Sequence, residues 1–292
     1  MRCKKDGILG FFATVRTPVL AGAGEGTGRA DTSIQRNSVS KIPKIDSSVW
    51  RGSVTELLPF ALEKKNSKDK FAGKRPKISF SDLRLLLFPV RSSSNLFTLL
   101  TCPGCLREVL RDMNWYGYLP KAYSEYENKV RYYEDTTMWK GDFREEYELL
   151  GQDLIQKKGN HEDPDSKKEL FSMLGFEEHV IQRIGIVSDE LFVYFVERET
   201  EVAVRNKTEG QGLFTEEYLP EESVLYGFIN EFKDIVYPAE NVLEAIHSEL
   251  KRRCPSEEGK GFTLQLGKNE TLGKGRLFFR EMNREFKGGD TR

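Results

Sequence analysis

Three apolar, glycine-punctuated blocks between Pro103 and Val196 constrain the fold of this chain more than any other feature. The first, Cys105 to Pro120, reads CLREVLRDMNWYGYLP; the second, Met138 to Phe143, reads MWKGDF; the third, Met173 to Val196, reads MLGFEEHVIQRIGIVSDELFVYFV. In the first block Leu106, Val109, Leu110 and Met113 recur at i, i+3, i+4 and i+7, which lines one face of a helix with apolar side chains. Trp115, Tyr116, Gly117, Tyr118 and Pro120 then end that helix in an aromatic turn. Trp115 is expected to be a core anchor, and Trp115, Tyr116, Tyr118 and Trp139 form the set of candidate interaction or core-anchor residues.

The helical pattern extends on both sides of the second block. Phe143 to Lys158 reads as helix through Leu149, Leu150, Leu154 and Ile155, and Asn160 to Asp165 breaks it. Asp165 or Ser166 then caps a further helix, with Glu169 placed to reach back to Ser166. Leu191 to Val196 is continuously apolar, and helix and strand fit it equally. Phe228 to Leu250 reads as helix, broken near Pro238.

The ends of the chain read differently. Ala21 to Ser40, rich in Gly, Ser and Thr, reads as a loop or disordered segment. Ser53 to Lys64 predicts a short helix limited by Pro59, and Lys77 to Val90 a strand or buried segment stopped at Pro89. From Pro255 the chain is rich in Gly, Lys and Glu, with one apolar cluster at Leu277 to Phe279. The expected fold class is therefore mainly α. A helical core domain spans 77–254, preceded by a small, partly β or irregular N-terminal region (1–76) and followed by a weakly ordered tail (255–292). The N-terminal region carries a flexible loop, 21–40, and a basic linker, 63–77.

Composition excludes several classes of function. The 292 residues carry a net charge of −1, so no bulk charge attracts nucleic acid or an anionic membrane, and nucleic acid is not expected as a partner. No apolar run approaches the roughly 20 residues that cross a bilayer. Ile8 to Val15 follows Lys4 and Lys5 as a signal-peptide core would, but it is short and no small-residue cleavage site follows. Four cysteines do not make a disulfide scaffold, which points to a reducing compartment.

No catalytic constellation is visible, and no cofactor or metal is expected. Cys102-Pro103-Gly104-Cys105 opens a helix, where a thiolate would be stabilised, so a thiol–disulfide oxidoreductase using Cys102 and Cys105 is the alternative function. The strand and helix order of such an enzyme does not follow Cys105. A zinc site would need partners from Cys3, Cys254, His161, His179 and His247, and none has finger spacing. Gly22 to Gly28 looks like a phosphate-binding glycine loop but lacks a clean strand before it and a helix after it. Lys74, Arg75 and Lys77, with Lys64 and Lys65 upstream, form a candidate basic cluster for nuclear import or anion binding.

The three blocks resemble the small-segment nonstructural protein (NSs) of phleboviruses and other phenuiviruses. The residues that carry the resemblance are the helix Leu106 to Pro120 with its Trp115 turn, Trp139-Lys140-Gly141-Asp142-Phe143, and Leu174-Gly175-Phe176 running on through Ile181, Ile184, Ile186, Val187 and Leu191. Phe80-Ser81-Asp82-Leu83 with Phe88-Pro89 adds an upstream element. The resemblance implies a viral virulence factor without enzymatic activity. Such a factor suppresses type I interferon induction or signalling by binding host innate-immune signalling or transcription proteins and sequestering or degrading them. It also implies self-association and residence in the host cytoplasm, in inclusion bodies, or in the nucleus.

Overall fold

Two of the apolar stretches of this chain, Ile8 to Val15 and Leu83 to Val90, are strands buried along most of their length. The computed structural model describes residues 7–25, 30–57, 77–93, 95–133, 147–156, 164–206, 212–232, 242–255 and 261–283. In chain order its first half contains β1 (Ile8–Val15), β2 (Gly22–Glu25), β3 (Thr32–Ile34), β4 (Lys44–Ile45), α1 (Ser47–Leu57), β5 (Lys77–Phe80), β6 (Leu83–Arg91), β7 (Phe97–Thr101), α2 (Pro103–Tyr116) and α3 (Tyr123–Arg131). Then follow β8 (Tyr147–Leu150), β9 (Asp153–Gln156), α4 (Pro164–Met173), α5 (Glu178–Ile181), β10 (Ile184–Ile186), α6 (Asp189–Arg198), β11 (Glu201–Asn206), β12 (Leu213–Tyr218), β13 (Val224–Phe232), α7 (Val242–Arg253), β14 (Gly261–Gln265) and β15 (Arg276–Glu281). Strands and helices are interspersed among the described residues, so the mainly α expectation is corrected to a mixed α/β fold. Two compact units emerge, 1–85 with 200–281 and 86–199 with 282–292, cut differently from the boundaries drawn at 76/77 and 254/255.

In the first unit β1 pairs antiparallel with β13 on one side and β15 on the other, β14 pairs with β15, and β5 pairs with β13. Val224 to Glu231 of β13 is buried without interruption, and only Leu9 and Thr14 interrupt burial along β1. A strand covered on both faces loses its alternation, which is why Phe228 onward read as helix and why Ile8 to Val15 read as a signal-like run. Trp50 and Val54 of α1 and Leu243, Ile246 and Leu250 of α7 supply buried apolar side chains against this sheet. The tail is corrected as well: β15 lies between β1 and β14, so the described part of the C-terminal segment belongs to the sheet.

A second, smaller sheet of this unit has the order β11-β12-β3-β2. It includes Gly22–Glu25 and Thr32–Ile34, both from the segment expected to be a flexible loop. Residues 26–29 and the Lys64 to Pro76 part of the basic linker lie outside the described residues.

The second unit shows where local signals succeed. Helix α2 buries Cys105, Leu106, Val109, Leu110 and Met113 and ends at Gly117, whose φ of 73° lets Tyr118 N donate to Met113 O at 2.7 Å. Leu191 to Val196 is resolved as helix: the Ser188 hydroxyl caps α6 by accepting from Leu191 N at 3.2 Å, and Phe192, Phe195 and Val196 face inward. Two local readings fail. Pro164 takes the first helical position of α4, so Asp165 and Ser166 lie inside its first turn. Tyr147 to Gln156 is the β8–β9 hairpin, turned at Gly151 with φ of 61°. In this unit β7 pairs antiparallel with β6 and parallel with β10. Pro89 does not stop β6, which runs on to Arg91.

Candidate functional site

The small sheet of the first unit is held by two buried glutamates that neighbour each other on β12. Glu217 accepts from Arg36 at 2.6 Å, from the Thr200 hydroxyl at 2.8 Å and from Ile34 N at 3.2 Å. Glu216 accepts from the Tyr218 hydroxyl at 2.6 Å, Asn269 Nδ2 at 3.0 Å and Arg205 Nε at 3.3 Å. Burial pushes the Glu216 carboxyl up, but the bonds from Tyr218, Asn269 and Arg205 outweigh it and hold the group below the usual carboxylate range. Successive strand residues face opposite sides, so each glutamate secures one face. Both are occupied with structure.

Asp31 is an exposed carboxylate that bonds to Thr215. Its Oδ2 accepts from Thr215 N at 2.7 Å and from the Thr215 hydroxyl at 2.8 Å, while Asp31 N donates to that hydroxyl at 3.0 Å. The bonds extend a β3–β12 parallel register that is otherwise a single pair, Glu216 with Thr32.

The turn between β14 and β15 lies beside the start of β2. Lys268 N donates to Leu20 O at 3.0 Å and Gly275 N to Pro18 O at 2.9 Å. Gly267, Gly273 and Gly275 have φ of 83°, 75° and 83°, a region that glycine enters without strain. Asn269, at φ of 65°, ties the turn to Glu216 and Tyr218. The exposed Lys268 lays its ammonium over Gly22, 3.9 Å from where a Cβ would stand, and Thr32 Cγ2 is 3.6 Å from the same point. A Cβ at position 22 would meet both at ordinary van der Waals distance. An exposed ammonium and a fixed carboxylate suit a phosphodiester chain: lysine meets phosphate, and a carboxylate moves a proton.

Of the residues singled out from the sequence, only Gly22, the first of the glycine loop, belongs to this site. Trp115 is 82% exposed at the end of α2, so it is not a core anchor; Tyr116 is half-buried and Tyr118 is buried. Trp139, Lys74 and Arg75 lie outside the described residues, and Lys77 begins β5. Cys102 and Cys105 are free and buried. Burial, a hydrogen bond with Cys105 and the negative charge of Asp189 push the Cys102 thiol well up, which opposes a nucleophilic thiolate. Among the described residues no group of three or more His, Cys, Asp or Glu side chains is placed to hold a metal, and no helix is long and apolar enough to cross a membrane. The residues the sequence reading missed are Asp31, Thr215 and Lys268. The available signal was the spacing Gly267, Gly273, Gly275 with interleaved lysines, in a segment read as tail.

The family model of the RAMP superfamily matches residues 12–278. The CRISPR system Cmr endoribonuclease Cmr4 of Pyrococcus furiosus is 27% identical over 290 residues, spanning 92% of each chain. The crystal structure of oligomeric Cmr4 from Pyrococcus furiosus superposes with a TM-score of 0.67 at 23% identity, covering 94% of this chain and 98% of that one. A chain of the cryo-EM structure of the type III-B Cmr-beta bound to cognate target RNA gives 0.66 at 16% identity, covering 94% and 96%. At these identities the two structures speak for the fold.

These findings overturn the phlebovirus resemblance, and with it interferon antagonism, host signalling partners and residence in a host cell. The blocks that carried it contain ordinary helix endings: Gly117 and Gly175, at φ of 73° and 78°, sit where α2 and α4 stop, as capping glycines do in many folds. The thiol–disulfide alternative falls with it. The expectation of no enzymatic activity is corrected by a relative named an endoribonuclease. The expectation that nucleic acid is no partner is corrected too, because that relative's name makes RNA its substrate, and a net charge averages away local lysines. The match over residues 12–278 covers most of the chain, and the chain belongs to the RAMP superfamily.

Proposed function

We propose that this chain is an RNA-binding subunit of a CRISPR-type ribonucleoprotein effector and that it cleaves RNA at Asp31. The observation that carries the reading is the end-to-end similarity to a relative named an endoribonuclease, 92% of each chain. The surface around Gly22, Asp31 and the Leu266–Gly275 turn supports it. Lys268 receives a phosphate, which positions the strand without reading its sequence. Lys74, Arg75 and Lys77 remain candidates for further phosphate contacts.

In the cleavage step Asp31 takes the proton of a ribose 2′-hydroxyl. The 2′ oxygen bonds to the adjacent phosphorus, the bond from phosphorus to the 5′ oxygen breaks, and the leaving oxygen takes a proton from water. The products are a 2′,3′-cyclic phosphate and a 5′-hydroxyl, and Lys268 offsets the charge that grows on the phosphoryl oxygens.

The test uses the ribonucleoprotein isolated with its guide RNA. Asp31→Asn is expected to slow cleavage of a complementary RNA by about 100-fold or more with binding retained. Lys268→Ala should weaken binding evenly across sequences and lower the salt slope by about one. Wild-type cleavage by Asp31→Asn would remove Asp31 from the reaction.

A further inference from the structure

We propose that Thr215 is the positioning residue of the Asp31 carboxylate, an inference that rests on the cleavage role of Asp31. Three hydrogen bonds link the two residues, and two of them end on the same oxygen, Oδ2. Two donors converging on one oxygen stop the carboxylate from turning about its last torsion, so the plane of the group is set by β12.

That strand is a firm support. Thr215 pairs with Val204 of β11, and the next residue, Glu216, is 6% exposed and held by Tyr218, Asn269 and Arg205. On the other side Ala30, the residue before Asp31, is 4% exposed. The residue type matters. The hydroxyl donates to Oδ2 and accepts from Asp31 N at once, and a β-branched side chain in a strand has a restricted χ1. Valine keeps the shape and the backbone donor and loses only the hydroxyl; serine keeps the hydroxyl.

A base displaced by a fraction of an ångström still binds RNA but abstracts its proton slowly, and a 1 Å error costs about 100-fold. A simple staple between β3 and β12 would act differently: its loss would lower stability and RNA affinity together.

Single-turnover cleavage at saturating RNA, RNA affinity and the thermal midpoint are measured for Thr215→Val, Thr215→Ser, Asp31→Asn and the Asp31→Asn/Thr215→Val double variant. The proposal expects Thr215→Val to cleave about tenfold more slowly, with affinity and midpoint unchanged, and Thr215→Ser to stay within about threefold of wild type. The double variant should be no slower than Asp31→Asn alone, because the threonine acts only through the aspartate. A Thr215→Val that cleaves at the wild-type rate while Asp31→Asn is inactive overturns the positioning role and leaves the role of Asp31 standing. A slow Thr215→Val that also loses affinity or stability and is not restored by serine makes Thr215 a structural staple. An active Asp31→Asn removes the cleavage role itself, and the positioning role with it.

Discussion

Replacing Trp50 by alanine tests the core of the first unit most directly. The indole is fully buried, stacks on Phe279 at 5.9 Å with planes 11° apart, and meets Phe80 edge-on at 4.9 Å. Its Nε1 donates to Ser81 O at 2.8 Å, which ties α1 to the two-residue link between β5 and β6. Truncating a buried Trp costs about 3–5 kcal/mol. The upper part of that range is expected, because the Ser81 carbonyl also loses a donor, worth about 1 kcal/mol even when net terms are counted. At 2–4 °C per kcal/mol for a unit of this size, the thermal midpoint should fall by roughly 10 °C or more. Trp50→Phe keeps a ring between Phe80 and Phe279 and should lose much less. Trp115→Ala is the control: at 82% exposure it should change stability by no more than about 0.5 kcal/mol. Equal shifts for the two alanine variants, or an unchanged midpoint for Trp50→Ala, would refute the assignment of these two tryptophans to core and surface.

Two further outcomes are expected. Gly267→Ala, whose Cβ would collide with the Leu20 carbonyl oxygen at a φ of 83°, should destabilise the turn and weaken RNA binding. Gly273→Ala, at 75° with open space around it, should cost only the left-handed penalty of about 1 kcal/mol and leave binding intact; equal losses of affinity would show that the turn is not held against Leu20. Acid titration should expose Asp82. Burial pushes its carboxyl up, but bonds from Lys44 at 2.8 Å and Ser47 N at 3.0 Å outweigh burial and hold it below its ordinary value. A depressed acid contributes stability in full above its unfolded pKa of about 3.9 and loses it as pH falls through the lower folded value. Stability followed from pH 5 downward should therefore decline less steeply for Asp82→Asn than for wild type, and identical slopes would sink the assignment.

Helices were legible in this chain wherever the signal was local. The 3.6-residue spacing of Leu106, Val109, Leu110 and Met113 and the capping glycine at 117 specified α2 from its own residues, because the hydrogen bonds of a helix close within one turn. Apart from Lys77 to Val90, the strands were not. Val224 to Glu231 and Ile8 to Val15 carry no alternation, since both faces are covered, and only pairing with each other told them apart from buried helix. The Gly/Lys-rich segment after Pro255 has little apolar content, yet Leu277 to Phe279 is enough to place β15 between β1 and β14.

The site was hidden for the same reason. Asp31 and Thr215 are 184 positions apart, and nothing around either residue signals the other. Lys268 reaches Gly22 only because the β14–β15 turn is fastened to Pro18 and Leu20 by backbone bonds. Sequence alone determined where helices stop, where glycine must supply a left-handed turn, and which residues are apolar enough to be core. Tertiary structure decided which apolar runs become strands, which tryptophan is buried, and which carboxylate is left exposed in a fixed orientation. Periodicity and capping are interactions among near neighbours, whereas strand pairing and site assembly depend on contacts between segments that only the folded chain brings together.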